Sequence, residues 1–181
     1  MGFQMGLPAN FVKAIPRIER ILRYTEAHLD IRYPVNIDRI IEKLIIEVEV
    51  KPFVEDVLEG YCLPGDSRGL GRKIVVNANK PVEVRRMAKA HELHHLLEHQ
   101  KDLPLYSHIG QVDRILEKEA NFAAAYYLVP GKCIALCEEW KSGTYQELAE
   151  KLDVPVDLVI KRYDIYLEMK QWRTGLDLLN P

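Results

Sequence analysis

The chain lacks the features that would take it out of an aqueous, reducing compartment. It has only three cysteines, Cys62, Cys133 and Cys137, and no two of them form a C-x-x-C pair. Such an odd, sparse set gives no disulfide framework and fits a reducing cytosol. Cys133 and Cys137 stand four apart on one helix face and read as small buried apolar residues rather than a redox or metal pair. No apolar run approaches the ~18 residues of a membrane span. The start, MGFQMGLPANFVKAIPRIER, has neither a long apolar stretch nor a cleavage-like site. Met1-Gly2 is a poor myristoylation cue, because Gly6 stands where Ser or Thr is preferred. A cytoplasmic protein with no membrane attachment is expected.

An excess of one charge is also missing. Lys plus Arg number 25 and Asp plus Glu 27, a formal charge of −2. That balance supplies no global attraction to nucleic acid or to an anionic membrane. There is no internal repeat and no low-complexity linker. At 181 residues and 48% hydrophobic, the chain can bury a core without metal or disulfide support, so one domain over 1–181 is expected.

What is present is a clear alternation of patterns. Phe11, Ile15, Ile18, Ile21, Leu22 and Leu29 predict an amphipathic helix over 9–29, with Pro16 marking a kink or the true start. IDRIIEKL from Ile37 reads as a short second helix. Residues 45–53 alternate apolar and charged, as a half-buried strand does. A turn-rich stretch follows, with Gly60, Pro64, Gly65, Gly69 and Gly71 around Tyr61 to Leu63. KIVVN, 73–77, is a further strand. This third of the chain predicts a small, mostly antiparallel sheet. From Pro81, suited to a first helical turn, a helix runs unbroken to about Lys101. A polar connection leads to an alanine-rich helix over 111–128, ended by Val129-Pro130-Gly131. Three short helices are expected at 131–140, 144–152 and 156–169. The fold class is α+β.

The chemistry lies in His91-Glu92-Leu93-His94-His95, a match to H-E-x-x-H. One helical turn separates His91 from His95, so both imidazoles project from one face. They can then reach one zinc ion at roughly 2.0–2.1 Å. Glu92 points to the side, placed to act as general base rather than as a ligand. A catalytic zinc takes a third protein ligand, and the alanine-rich helix offers Asp113, Glu117 and Glu119. Glu117 shares a stripe with Asn121, Ala124 and Leu128. Small Ala120 and Ala124 would let this helix approach the first closely, and Asn121 could steady a ligand. Glu119 lies about 200° around the helix from Glu117, so only one of the two can face the metal, and Glu117 is favoured.

His94 faces away from the His91–His95 pair. His99 extends their stripe and is expected to cap or pack. His108 could reach the cleft from a loop, and His28 sits near a helix end. Tyr61, Tyr126 and Tyr127 are candidates for core or cleft wall. Residues 144–169 have the apolar pattern of a helix-turn-helix, opened by a capping box of Thr144 and Glu147. Lys161 and Arg162 are its only bases on the second helix, beside Asp157 and Asp164. A hairpin packed on the rest of the protein therefore outweighs a DNA reader.

RRMAKAHELHHLLEH (85–99) followed by EKEANFAAAYYLVP (117–130) resembles the ImmA/IrrE family of zinc metallopeptidases. Those proteins read A-H-E-L-G-H-x-x-L-H, then E-x-x-A-[ND]-x-F-A ending in L-M-P. Glu117, Ala120 and Asn121 match the second pattern directly, whereas Phe122 falls one position early. His94 replaces the usual glycine and Val129 the usual methionine. The resemblance implies a zincin-like fold with two metal-bearing helices and a C-terminal helical cap. It favours Glu117 as metal ligand, with His91 and His95, and implies a regulatory endopeptidase that cleaves a helix-turn-helix repressor. The alternative is a non-proteolytic metal-binding regulator that binds a repressor or antitoxin partner.

Overall fold

The first described helix, α1 (Ala9–His28), buries Ala14, Ile15 and Ile18, the stripe that its apolar spacing predicts. The structure is a computed structural model and describes residues 9–28, 34–55, 57–66, 68, 70–99, 114–129, 131, 133–134 and 145–179. Pro16 lies inside α1 without ending it. The second helix, α2 (Ile37–Lys43), is capped by Asn36, whose side-chain oxygen accepts from the Arg39 amide at 3.1 Å. Its far end closes with two reversed bonds, Ile45 N–H to Glu42 O at 2.9 Å and Ile46 N–H to Ile41 O at 3.2 Å. That pattern is a Schellman stop, and it holds Ile45 in the left-handed region at φ 57°.

Three short strands follow: β1 (Glu47–Lys51), β2 (Gly60–Leu63) and β3 (Lys73–Asn77). Their order in the sheet is β1-β3-β2. The hairpin β2–β3 is antiparallel, as expected, but β1 pairs with β3 in parallel. The sheet is therefore mixed rather than mostly antiparallel. The reason lies in the chain between Lys51 and Gly60, which passes the end of β3 and returns along its far side. Asn77 fastens that crossing. Its Oδ1 accepts from the Phe53 amide at 3.2 Å and the Asn79 amide at 3.0 Å, and its Nδ2 donates to Leu58 O at 3.0 Å. Asn77 is fully buried, so each polar atom needs these partners. β2 was read from sequence as part of a turn-rich stretch. Four residues that start at a glycine and stop before a proline become a strand only because β3 lies beside them.

The third helix, α3 (Val82–Glu98), is buried on several sides, through Arg86, Ala88, Ala90, Glu92, Leu93, His94, His95, Leu96 and Leu97. It packs against β2, β3 and α2, and most extensively against the fourth helix, α4 (Arg114–Leu128). Ala120, Ala123, Ala124 and Ala125 of α4 are wholly buried, and such short side chains let two helix axes approach closely.

Helices α5 (Tyr145–Leu152) and α6 (Val156–Leu179) form the C-terminal hairpin. They join through Asp153 at φ 53°, a conformation that Asp tolerates. α6 runs ten residues past the predicted end. Gly175 weakens a helix by about 1 kcal/mol without stopping it. Arg86 of α3 reaches into the hairpin and donates to Leu152 O at 2.7 Å, to Asp153 O and carboxylate, and to Val35 O at 2.8 Å. It thereby satisfies carbonyls that the end of α5 leaves open. Arg162, one of the bases on the second hairpin helix, turns inward. Its Nε donates to Val129 O at 3.1 Å, its guanidinium lies 4.2 Å from the Tyr126 ring centre, and the residue is 3% exposed. Among the described residues no helix is long and apolar enough to cross a membrane. The architecture is α+β.

Candidate metal centre

Because α3 and α4 lie against one another, side chains one turn apart on α3 meet side chains of α4. His91 and His95 face each other with Nε2 atoms 3.0 Å apart. Glu117 closes the group, with Oε2 at 3.1 Å from His91 Nε2 and Oε1 at 3.2 Å from His95 Nε2. Two ligands held tetrahedrally by zinc at roughly 2.1 Å stand about 3.4 Å from one another. The three separations are close to that edge, and two imidazole nitrogens with a carboxylate oxygen form a donor set that zinc takes. The residues present therefore fit a metal ion.

Electrostatics follow the geometry. Burial opposes charge on the His91 imidazole, but Glu117, Glu92 and a hydrogen bond with Asn121 outweigh it and raise its pKa. Burial would raise the Glu117 carboxyl. The hydrogen bonds and charge of His91 and His95 prevail and hold it well below the usual carboxylate range. Asn121, expected to steady a ligand, also donates from Nδ2 to Glu117 O at 2.9 Å.

Glu92 stands beside this group and outside it. It is 9% exposed, and burial pushes its carboxyl upward against the opposing charges of His91 and His95. Beside it on β2 stands the Cys62 thiol, which interacts with this carboxylate. Burial and the neighbouring Glu92 charge push the Cys62 thiol far up, so it stays protonated. Gly60 makes this approach possible. A Cβ there would lie 3.0 Å from Val75 O and 3.5 Å from Glu92 Cγ. No spacing rule links residue 62 to residue 92; only the packing of β2 on α3 does.

Glu119, the rejected alternative, joins a different group. Its Oε1 lies 3.2 Å from His94 Nε2 and 3.4 Å from His99 Nε2. Burial would raise this carboxyl too, but the hydrogen bond from His94 and the charges of His94 and His99 hold it at about 2. His99 is the cap residue of α3. Its Nδ1 meets His95 Nδ1 at 2.9 Å, which links the two groups. Tyr127 belongs to the core, and Tyr126 donates to Glu19 Oε1 at 2.8 Å. Tyr61 stacks on Phe53 at 5.7 Å between centroids. Cys133 is buried. Asp113, His108, Cys137 and the His28 side chain lie outside the described residues.

A family model described as the IrrE N-terminal-like domain, of a peptidase family, matches residues 41–164, more than half of the chain and all of both His–Glu groups. No curated protein matches the chain.

Proposed function

Since the chain belongs to the IrrE N-terminal-like family of metallopeptidases, with the zincin-like fold of that family, we propose that it is a zinc-dependent endopeptidase. Its metal ligands are His91, His95 and Glu117, and its general base is Glu92. The observation that supports this most directly is the group of three donors within 3.2 Å of one another, with a buried carboxylate beside them that is not a member.

A bound zinc ion supplies Lewis acidity, making water a nucleophile near neutral pH and polarising a peptide carbonyl. The residues of the chain do the rest. Glu92 accepts the proton of the attacking water at its carboxylate and passes it to the departing amine. Its raised pKa suits a group that must both take and give a proton. The Cys62 thiol orients that carboxylate from β2. His99, bonded to His95 Nδ1, fixes the imidazole so that Nε2 is turned toward Glu117 and His91. β2 has a sheet partner on one side only among the described residues. Its other edge is open to an extended polypeptide that adds by backbone pairing.

The substrate is a protein, and we assign it to the class of helix-turn-helix repressors met in the cytoplasm. The resemblance carries that choice. Nucleic acid is not the substrate, and the inward turn of Arg162 supports this. The test is incubation of zinc-loaded protein with a purified helix-turn-helix repressor, with mass spectrometry of the products. Cleavage that falls about 10²–10⁴-fold in Glu92→Gln, with bound zinc unchanged, is expected. Repressor that is bound but uncut by both proteins, or cut equally by both, would overturn the peptidase reading.

A further inference from the structure

We propose that His94, His99 and Glu119 form a second metal site, fully enclosed between α3 and α4, for zinc or another divalent ion that takes imidazole and carboxylate ligands. The donors repeat those of the first group: two imidazole nitrogens and one carboxylate, within 4.8 Å of one another. The separations from Glu119 Oε1, 3.2 Å to His94 Nε2 and 3.4 Å to His99 Nε2, again approach the ~3.4 Å edge of tetrahedral zinc. The surroundings differ. All three residues are buried, at 0%, 5% and 2% exposure for His94, His99 and Glu119.

Burial makes the unused polar atoms informative. Among the described residues, His94 Nδ1, His99 Nε2 and Glu119 Oε2 have no hydrogen-bond partner. A buried polar atom left unpaired costs about 1–3 kcal/mol, and native proteins rarely leave several in one place. His99 Nε2 looks toward the Glu119 carboxylate without hydrogen-bond geometry, and that carboxylate has a free oxygen. A cation seated among them would engage both. His94, the residue that replaces the glycine of the family pattern, turns a His–Glu pair into a three-donor group.

The two sites share a hydrogen bond, which makes them unequal. His95 Nδ1 and His99 Nδ1 stand 2.9 Å apart, with room for one proton between them. An ion on His95 Nε2 places that proton on His95 Nδ1, so His99 accepts through Nδ1 and carries its own proton on Nε2. A second ion must displace this Nε2 proton. The second site therefore binds more weakly while the first is loaded, and more tightly when the first is removed. Coupling between sites of this kind spans about 5–150-fold.

This ordering rests on the metal-centre reading of His91, His95 and Glu117; the existence of the second site does not. The experiment separates them. Metal-free protein is titrated with zinc alone, counted by elemental analysis, and with cobalt(II), followed by its absorption bands. The wild type takes up two equivalents, the second more weakly. His94→Gly and Glu119→Gln take up one. The double variant His91→Ala/Glu117→Ala takes up one, with an affinity about 5–150-fold above that of the wild type's second equivalent. A wild type whose single equivalent survives in His94→Gly, a His94→Gly variant that still takes two, or a double variant that takes none would overturn the proposal. If His94→Gly fails to fold, the double variant, which leaves the enclosed group intact, decides alone. Failure of the first site shows instead as loss of hydrolysis with the enclosed equivalent still bound.

Discussion

One helix carries two histidine–glutamate groups, and they differ in surroundings rather than in composition. In the first, Glu117 is 39% exposed and His91 13% by side chain. A buried carboxylate and a thiol of β2 stand beside it. In the second, the Glu119 side chain is 2% exposed and that of His94 fully buried, and the neighbouring carboxylate, Glu98, is paired with Arg17. Catalytic metal sites keep one position open and structural sites are closed. Access therefore separates a centre for reaction from a centre for binding. The separation arises from helix rotation: Glu117 and Glu119 lie about 200° apart on α4 and meet different histidines of α3.

Removing one carboxylate at a time should split activity from stability. Glu117→Ala should lower peptide hydrolysis about 10³-fold, since the several kcal/mol supplied by a metal at the transition state go with it. Its half-exposed side chain makes the stability of the metal-free protein nearly indifferent, within about 1 kcal/mol. Glu119→Ala should do the reverse. Leaving two buried imidazoles without their carboxylate costs about 3–5 kcal/mol, read from the urea midpoint, while activity falls no more than about 10–100-fold through His99 and His95. Equal losses of stability in both variants would erase the distinction.

How much of this could be read from the residues depends on the range of the contact. His91, Glu92 and His95 fall within one turn, where spacing alone fixes direction. The choice of Glu117 followed from the same wheel, and the structure brings it to His91 and His95. The wheel also turned His94 and Glu119 away from that group. It could not say that they turn toward one another, because that depends on how two helices far apart in sequence are rotated when packed. The Cys62–Glu92 contact and the Asn77 clasp are hidden for the same reason. Each needs a sheet whose order, β1-β3-β2, is set by a crossing that leaves little trace in composition. The last helix runs to Leu179, past the predicted end at 169, because a single glycine is a weak stop.

Acid should distinguish the two groups next, in metal-free protein. The Glu119 carboxyl is held at about 2 against an ordinary 4.5. Its folded pKa is depressed, so its contribution to stability is complete above about pH 4.5 and is lost as pH falls toward 2. The shift corresponds to about 3 kcal/mol at most. Burial also lowers the His94 pKa, so stability lost as pH falls below the ordinary histidine range adds in the same direction. Glu117 is shifted the same way, but water screens it and its share is smaller. Urea unfolding from pH 6 to pH 2 should therefore show an acid limb that flattens more in Glu119→Gln than in Glu117→Gln. The opposite order would mean that the exposed group carries the electrostatic load.

The smallest change probes the one wall that the first group has and the second lacks. In Gly60→Ala the new Cβ would stand 3.0 Å from Val75 O, 3.5 Å from Ala88 Cβ and 3.5 Å from Glu92 Cγ. Val75 belongs to the central strand and yields little, so β2 must move outward by a few tenths of an ångström. Crowding of this kind costs about 1 kcal/mol. The same movement draws Cys62 away from the Glu92 carboxylate. A small misplacement at a reacting centre can cost far more in rate than in stability, so kcat should fall by about 3–10-fold with zinc content unchanged. Cobalt bands of the enclosed group should not move, because β2 does not reach it. If stability falls by the expected amount and kcat does not change, Cys62 plays no part in orienting Glu92, and the open group owes its reactivity to exposure alone.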